Sequence, residues 1–270
     1  MKLLCIVGSQ LRHQYFLKRI CENFDVCGII NQKRTLVQPS KTNRTVFNKE
    51  DLLFEKKHLE HLKTSEENYF SEAIGFKAKE IPILEVDNFQ ELNSEKTVNW
   101  VKALNCDAAI DYGSFILKDA IMDVLPYWSI NLHGGLSPWY KGSAALLWPL
   151  VLQQPELLGI TYHLLSRKID GGKIIQHFRP EIKPDDSPHD LGCRSIKDGA
   201  QTGIALLKKL ESTGELKLID QKGTGKLFLE KDYKPSIIQT VYHNINNGML
   251  ENYLNNKSLI DSQYQFIDQL

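Results

Sequence analysis

Three polar side chains near the middle of the chain offer an amide donor, a titratable base and a carboxylate. Asn131 and His133 close the apolar run Trp128 to His133, and Asp170 stands in Lys168-Ile-Asp-Gly-Gly-Lys-Ile-Ile175. An amide can donate an N–H to an oxyanion, an imidazole can move a proton near neutral pH, and a carboxylate can orient and stabilise an imidazolium. Residues i and i+2 of a strand share a face, so Asn131 and His133 aim into one volume if the run is a strand. Gly134, Gly135 and Pro138 end it. Asp170, just before Gly171 and Gly172, belongs to another strand-turn from which it can pair with the imidazole.

The elements that would position these groups alternate along the first half. Leu3 to Val7, Val26 to Ile30, Ile83 to Val86, Ala108 to Tyr112 and Trp128 to His133 read as strands. Gln10 to Asn23, Asn88 to Leu104 and Lys118 to Val124 read as helices between them. This rhythm predicts an α/β fold with a Rossmann-like, mostly parallel sheet, whose ligands lie at the carboxyl ends of the strands. The first turn, Val7-Gly-Ser-Gln-Leu-Arg12, lacks a Gly-x-Gly-x-x-Gly fingerprint, so no dinucleotide cofactor is expected. Residues 42–72 read as an inserted amphipathic helix, with Leu52, Leu53, Leu59 and Leu62 at helical spacing in a charged segment. A solvated surface helix, a lid or a dimer contact all fit that pattern. Ser187, Pro188 and Asp190 form a start signal for a long helix through Leu210. A short tail follows, with a Gly223-Thr-Gly225 turn, a strand near Leu227 to Leu229 and a helix near Ile237 to Asn247. The expected division is a catalytic domain over 1–185 and a small C-terminal α+β appendage over 186–270.

Composition narrows the classes. The chain has 33 basic and 33 acidic side chains, so it has no net attraction for nucleic acid or an anionic membrane. The N-terminal apolar run is too short for a secretion signal, and no segment approaches a bilayer span, which predicts a cytoplasmic protein. Cys5, Cys21, Cys27, Cys106 and Cys193 are an odd, scattered set without Cys-x-x-Cys spacing. That argues for buried free thiols and against a zinc site or a disulfide framework. No metal is expected.

The segment Asn131-Leu-His-Gly-Gly-Leu-Ser-Pro-Trp-Tyr-Lys-Gly142, followed by Asp170-Gly-Gly-Lys-Ile-Ile175, resembles the folate-dependent formyltransferase family. The matching positions are Asn131, His133, Leu136, Pro138, Tyr140 and Gly142, then Asp170, Gly172, Ile174 and Ile175. Gly159 to Leu165 resembles the strand that precedes the family's aspartate, and the likeness covers roughly residues 105 to 180. It implies 10-formyl-tetrahydrofolate as cosubstrate and Asn131, His133 and Asp170 as the catalytic asparagine, histidine and aspartate. His133 can then serve either as an oxyanion donor or as the general base. The resemblance also implies a pterin slot formed by Gly113, Ser114, Phe115, Ile116 and Leu117 and by Ser166 to Asp170, including Lys168 and Ile169. A homodimer is a further implication.

The amine acceptor is expected against the loop holding Trp139, Tyr140 and Lys141, whose rings can stack on a sugar or base and whose ammonium can meet a phosphate. Arg12 and His13, at the start of the first helix, are candidates for an anionic part of the substrate. His163 is compatible with direct contact or a structural role; His58, His61, His177, His189 and His243 receive none. Residues 213 to 270 hold six lysines and seven acidic residues, a poor surface for tRNA. Gly8-Ser-Gln10 is likewise a poor version of the phosphate loop of a glycinamide ribonucleotide enzyme. The chain looks most like the sugar N-formyltransferases of surface-polysaccharide pathways, acting on a nucleotide-linked amino sugar such as a 4-amino-4,6-dideoxyhexose. A methionyl-tRNA or glycinamide ribonucleotide formyltransferase is the nearest alternative. A non-catalytic folate or sugar-nucleotide binder, or a formyl-tetrahydrofolate hydrolase, represents a different class.

Overall fold

A computed structural model describes residues 1–270 apart from 36, 37, 39, 41–46 and 224. The start of the expected insertion and Thr224 of the expected turn therefore lie outside the described residues. The elements run β1 (Lys2–Gly8), α1 (Leu11–Cys21), β2 (Asp25–Gln32), α2 (Lys49–Tyr69), β3 (Ile83–Val86), α3 (Phe89–Leu92), α4 (Glu95–Leu104), β4 (Ala108–Tyr112) and α5 (Asp119–Met122). They continue with β5 (Trp128–His133), β6 (Tyr140–Gly142), α6 (Trp148–Val151), β7 (Ile160–Leu164), β8 (Ile174–Phe178) and α7 (Pro188–Thr213). The tail adds β9 (Lys226–Phe228), α8 (Pro235–Asn246), α9 (Met249–Asn255) and α10 (Lys257–Asp261).

Seven strands form one sheet in the order β3-β2-β1-β4-β5-β7-β8. Pairing is parallel from β3 through β5, and antiparallel at β5–β7 and β7–β8. The chain moves outward from β1 to β3 and then returns to β4 beside β1, which leaves a crevice at the carboxyl ends of β1 and β4. Alternation divides β1 between two cores. Leu3, Cys5 and Val7 pack with Phe16 and Ile20 of α1 and Ile196, Ala200 and Ile204 of α7, whereas Leu4 and Ile6 pack with Val98 and Val101 of α4. Each such aliphatic side chain contributes roughly 1.5–3 kcal/mol on burial. The apolar face of α7 thus belongs to the core of the main sheet, and its start carries the expected capping box, with Ser187 accepting from the Asp190 N–H.

Three local expectations are corrected. The stretch Asn88 to Leu104 is two helices, because Asn93 leaves the helical path to serve another segment: its Nδ2 donates to the Ile116 carbonyl at 3.0 Å and its Oδ1 accepts from the Lys118 N–H at 2.7 Å. Ser94 then caps α4. Helix α2 forms, but Leu52 and Leu53 are exposed while Glu55, His58 and Glu66 are buried, each with a polar partner on another segment. Finally, Cys27 and Cys106 are joined as a disulfide with Cα atoms 6.7 Å apart; Cys5, Cys21 and Cys193 are free. A separation of 79 residues carried no spacing signal for that pair.

Candidate active site

Sheet register puts a polar row across three neighbouring strands. Asp111 of β4 is paired with Asn131 of β5, and Asn131 with His163 of β7. Asp170 sits over this row from the loop between β7 and β8, with φ +45°, a left-handed conformation that Asp tolerates better than most residues. Its Oδ2 accepts from the Gly142 N–H at 2.7 Å and its own carbonyl accepts from Gln221 Nε2 at 2.7 Å. Gly142 has φ +85°, and a Cβ there would lie 2.1 Å from the Phe228 carbonyl oxygen. At Gly172 a Cβ would lie 1.7 Å from the Leu164 oxygen. These close approaches account for glycine at both motif positions.

Asp170 Oδ1 gathers the other groups: His133 Nδ1 at 3.4 Å, Asn131 Nδ2 at 3.5 Å and His163 Nε2 at 3.6 Å. The imidazoles are oriented from behind. His133 Nε2–H donates to the Tyr140 carbonyl at 3.0 Å, and His163 Nδ1–H donates to the Leu164 carbonyl at 2.8 Å. His163 Nε2 accepts from Asn131 Nδ2 at 3.2 Å, which leaves the longer N–H contact of Asn131, that to Asp170, for exchange with a ligand oxygen. In neutral His133 the lone pair of Nδ1 therefore faces a carboxylate oxygen. A proton arriving at Nδ1 would be shared with Asp170 at once.

The charges follow from burial and pairing. Burial lowers the pKa of His133, against the opposing attraction of Asp170, so the ring is neutral near pH 7. Burial alone would raise Asp170, but the attraction of His133 and then His163 when these rings carry a proton, together with the Gly142 N–H, holds it well below the usual carboxylate range. The pair is thus a carboxylate beside a neutral base, although its spacing is that of an ion pair. Asp111 is pushed up to about 7 by burial, with the Ser114 hydroxyl, which donates to its Oδ2 at 2.9 Å, working the other way.

These groups open onto a cleft of about 690 Å³. Gly113 to Leu117 and Ser166 to Ile169 line it from two sides, with Ile116 (61% exposed) and Ile169 (41%) as an apolar rim suited to a flat ring. Arg12 and His13 also line it, but each is engaged. Arg12 pairs with Glu66 of α2, and His13 is wedged against the turns at Gly8 and Gly113 with its ring edge-on to Tyr112. Burial, followed by the charges of Arg12 and Arg34, lowers the pKa of His13 well below the histidine norm.

Trp139, Tyr140 and Lys141 do not line the cleft. The Trp139 ring packs against His177, Tyr264 and Phe266, and Tyr140 stacks on Phe228 while its hydroxyl donates to Gln154. In the β6–β9 pairing these rings face the tail's aromatic cluster, and the Tyr140 carbonyl accepts from His133. Among the cleft residues to which the sequence assigned no role are Asp111, His58, His189, Phe228, Glu230 and Tyr233. Asp111 carried a signal, since it is the lone acid in the otherwise apolar strand Ala-Ala-Ile-Asp-Tyr.

The formyl transferase family model matches residues 57–206, which contain the whole polar row and more than half of the chain. The chain belongs to the formyl transferase family. Several solved formyltransferases share its fold. A 4-N formyltransferase from Francisella tularensis is 16% identical, with 90% of this chain and 87% of that chain covered at a TM-score of 0.57. The sugar 3N-formyl transferase WlaRD, determined in the presence of dTDP and 5-N-formyl-THF, is 19% identical, with 86% and 71% covered and a TM-score of 0.53. The phosphoribosylglycinamide formyltransferase from Bacillus halodurans is 17% identical, with 80% and 97% covered and a TM-score of 0.53. At these identities the likeness is one of fold, and it makes this formyl transferase's seven-stranded sheet the family scaffold.

Proposed function

We propose that this formyl transferase moves the formyl group of 10-formyl-tetrahydrofolate to the primary amine of a nucleotide-linked amino sugar, with a 4-amino-4,6-dideoxyhexose as the working acceptor. The observation that carries the reading is the convergence of Asn131, His133 and Asp170 on a cleft also lined by residues 113–117 and 166–169. The ligands of WlaRD, a folate and a nucleotide, support the donor and the acceptor class.

In this mechanism the acceptor nitrogen attacks the formyl carbon, and the carbonyl oxygen becomes an oxyanion that accepts from Asn131 Nδ2. His133 Nδ1 takes the proton released by the nitrogen, and Asp170 stabilises the imidazolium. The bond from carbon to the folate nitrogen then breaks, that nitrogen receives the proton, and the oxyanion returns to a carbonyl. Neutral His133 with a free Nδ1 supports the general-base role over oxyanion donation. Atoms and charge balance without another reactant.

The test is incubation with 10-formyl-tetrahydrofolate and a panel of nucleotide-linked amino sugars, glycinamide ribonucleotide and charged initiator tRNA, with products followed by mass. Formylation of an amino sugar, lost by roughly 10²- to 10³-fold in Asn131→Ala, is expected. Product with tRNA or glycinamide ribonucleotide alone would overturn the acceptor assignment, and hydrolysis without transfer would overturn the reaction.

A further inference from the structure

At the side of the cleft formed by the inserted helix, three helices bring together side chains with no place in the mechanism above. His58 of α2 and His189 of α7 line the cleft, their rings 4.6 Å apart, and both meet the hydroxyl of Tyr242 from α8. That hydroxyl is 3.3 Å from His58 Nδ1 and 3.0 Å from His189 Nε2. Among the described residues, His58 Nε2 and His189 Nδ1 have no hydrogen-bond partner, and both side chains line the cleft.

Proton counting fixes what this relay offers. A phenol donates one hydrogen and accepts another, so one histidine must receive the Tyr242 proton and the other must give its own. Each neutral ring carries one N–H. If Tyr242 donates to His189, then His189 Nδ1 is a donor and His58 Nε2 an acceptor; if the relay runs the other way, the two roles exchange. In both states the two remaining nitrogens form one donor and one acceptor. Burial lowers His58 to about 3 and His189 to about 4 and raises Tyr242 to about 12, so the relay stays uncharged near neutral pH. The relay therefore offers an anion no countercharge. Leu59, Leu62 and Ile196 add apolar lining nearby.

Building on the formyl-transfer reading, we infer that the His58–Tyr242–His189 relay is an acceptor-recognition subsite for an uncharged ring that presents a hydrogen-bond donor beside an acceptor. A pyrimidine imide edge and a pair of neighbouring sugar hydroxyls both have that chemistry. The subsite is assembled by the inserted helix and the tail, which gives these two segments a shared role in choosing the amine-bearing substrate.

The test uses His58→Phe, His189→Phe and the near-isosteric Tyr242→Phe in the full chain, with thermal unfolding as the folding control. Steady-state rates are measured with dTDP-4-amino-4,6-dideoxyglucose, and calorimetric titrations use that compound and dTDP alone. The histidine variants should raise acceptor KM about 10-fold, and Tyr242→Phe about 3-fold, as expected for lost hydrogen bonds. The effect should fall on acceptor KM rather than on kcat or folate KM. Weakened binding of dTDP itself would assign the relay to the base, whereas weakening seen with the sugar-bearing compound alone would assign it to the sugar. Unchanged acceptor KM and affinity in folded variants would overturn the inference, as would parallel losses in folate KM and kcat. Absence of transfer by the unmodified protein to every amino sugar of the panel above would instead overturn the proposed reaction, and the titrations would still report on the relay.

Discussion

His133 and Asp170 meet acceptor to acceptor: Nδ1 of the imidazole lies 3.4 Å from Oδ1 of the carboxylate, while Nε2–H is committed to the Tyr140 carbonyl. Such a pair is incomplete until a proton arrives, and in the proposed mechanism the attacking amine supplies it. Asp170→Asn should therefore lower kcat by roughly 10²- to 10⁴-fold. It should also move the acid limb of the pH–kcat profile to lower pH. Burial already lowers the His133 pKa, and loss of the carboxylate that opposes this lowers it further. An asparagine variant with undiminished kcat and an unmoved acid limb would remove Asp170 from the mechanism.

Asp111 makes a prediction of opposite sign. Burial raises its pKa to about 7, so the folded state prefers the acid form, and stability is lost as pH rises through that value. Asp111→Asn should leave stability unchanged near pH 4 and increase it at pH 8, by at most about 4 kcal/mol. Denaturant midpoints at the two pH values measure the difference. Equal effects at both would show that the carboxyl carries no such cost.

His177 ties the end of the chain to β8. Its Nε2–H donates to the Ser137 carbonyl at 2.8 Å, and its Nδ1 accepts from the Ile267 N–H at 3.0 Å, an arrangement that a second proton destroys. Burial lowers its pKa to about 4 from the ordinary 6.5. The stabilisation is present above pH 6.5 and is lost as pH falls through about 4. Hydrogen exchange at the Ile267 amide should accelerate across that window, relative to amides in β1. Protection retained at pH 3.5 would contradict the linkage.

Gly142 joins the Asp170 contact to the β6–β9 pairing. Gly142→Ala places a Cβ against the Phe228 carbonyl at a φ that disfavours a side chain, so a loss of about 2 kcal/mol or more is expected. Because the Gly142 N–H orients Asp170, kcat should fall as well. Urea unfolding and steady-state rates on the same sample test both; a variant with native stability would mean that the backbone relaxes freely.

Much of this molecule was legible along the chain. Strand periodicity put Asn131 and His133 on one face, and the strand–helix rhythm placed them at the carboxyl end of a strand of the sheet. Ser187, Pro188 and Asp190 marked the start of α7 because capping is a contact between near neighbours. What stayed hidden depends on segments far apart in sequence. Trp139 and Tyr140 have the chemistry to stack on a substrate, yet the pairing of β6 with β9 turns their rings into an aromatic cluster with the tail. His58 and Tyr242 are separated by 184 positions, and no local pattern joins them. The same holds for Cys27 with Cys106, and for Asn93, drawn out of a helix by the backbone near Ile116 and Lys118. The candidate trio and the sheet that carries it could be read along the chain, since alternation, caps and turn residues act over a few positions. Tertiary packing decided which side chains face the cleft, because that depends on which distant backbone arrives to cover the others.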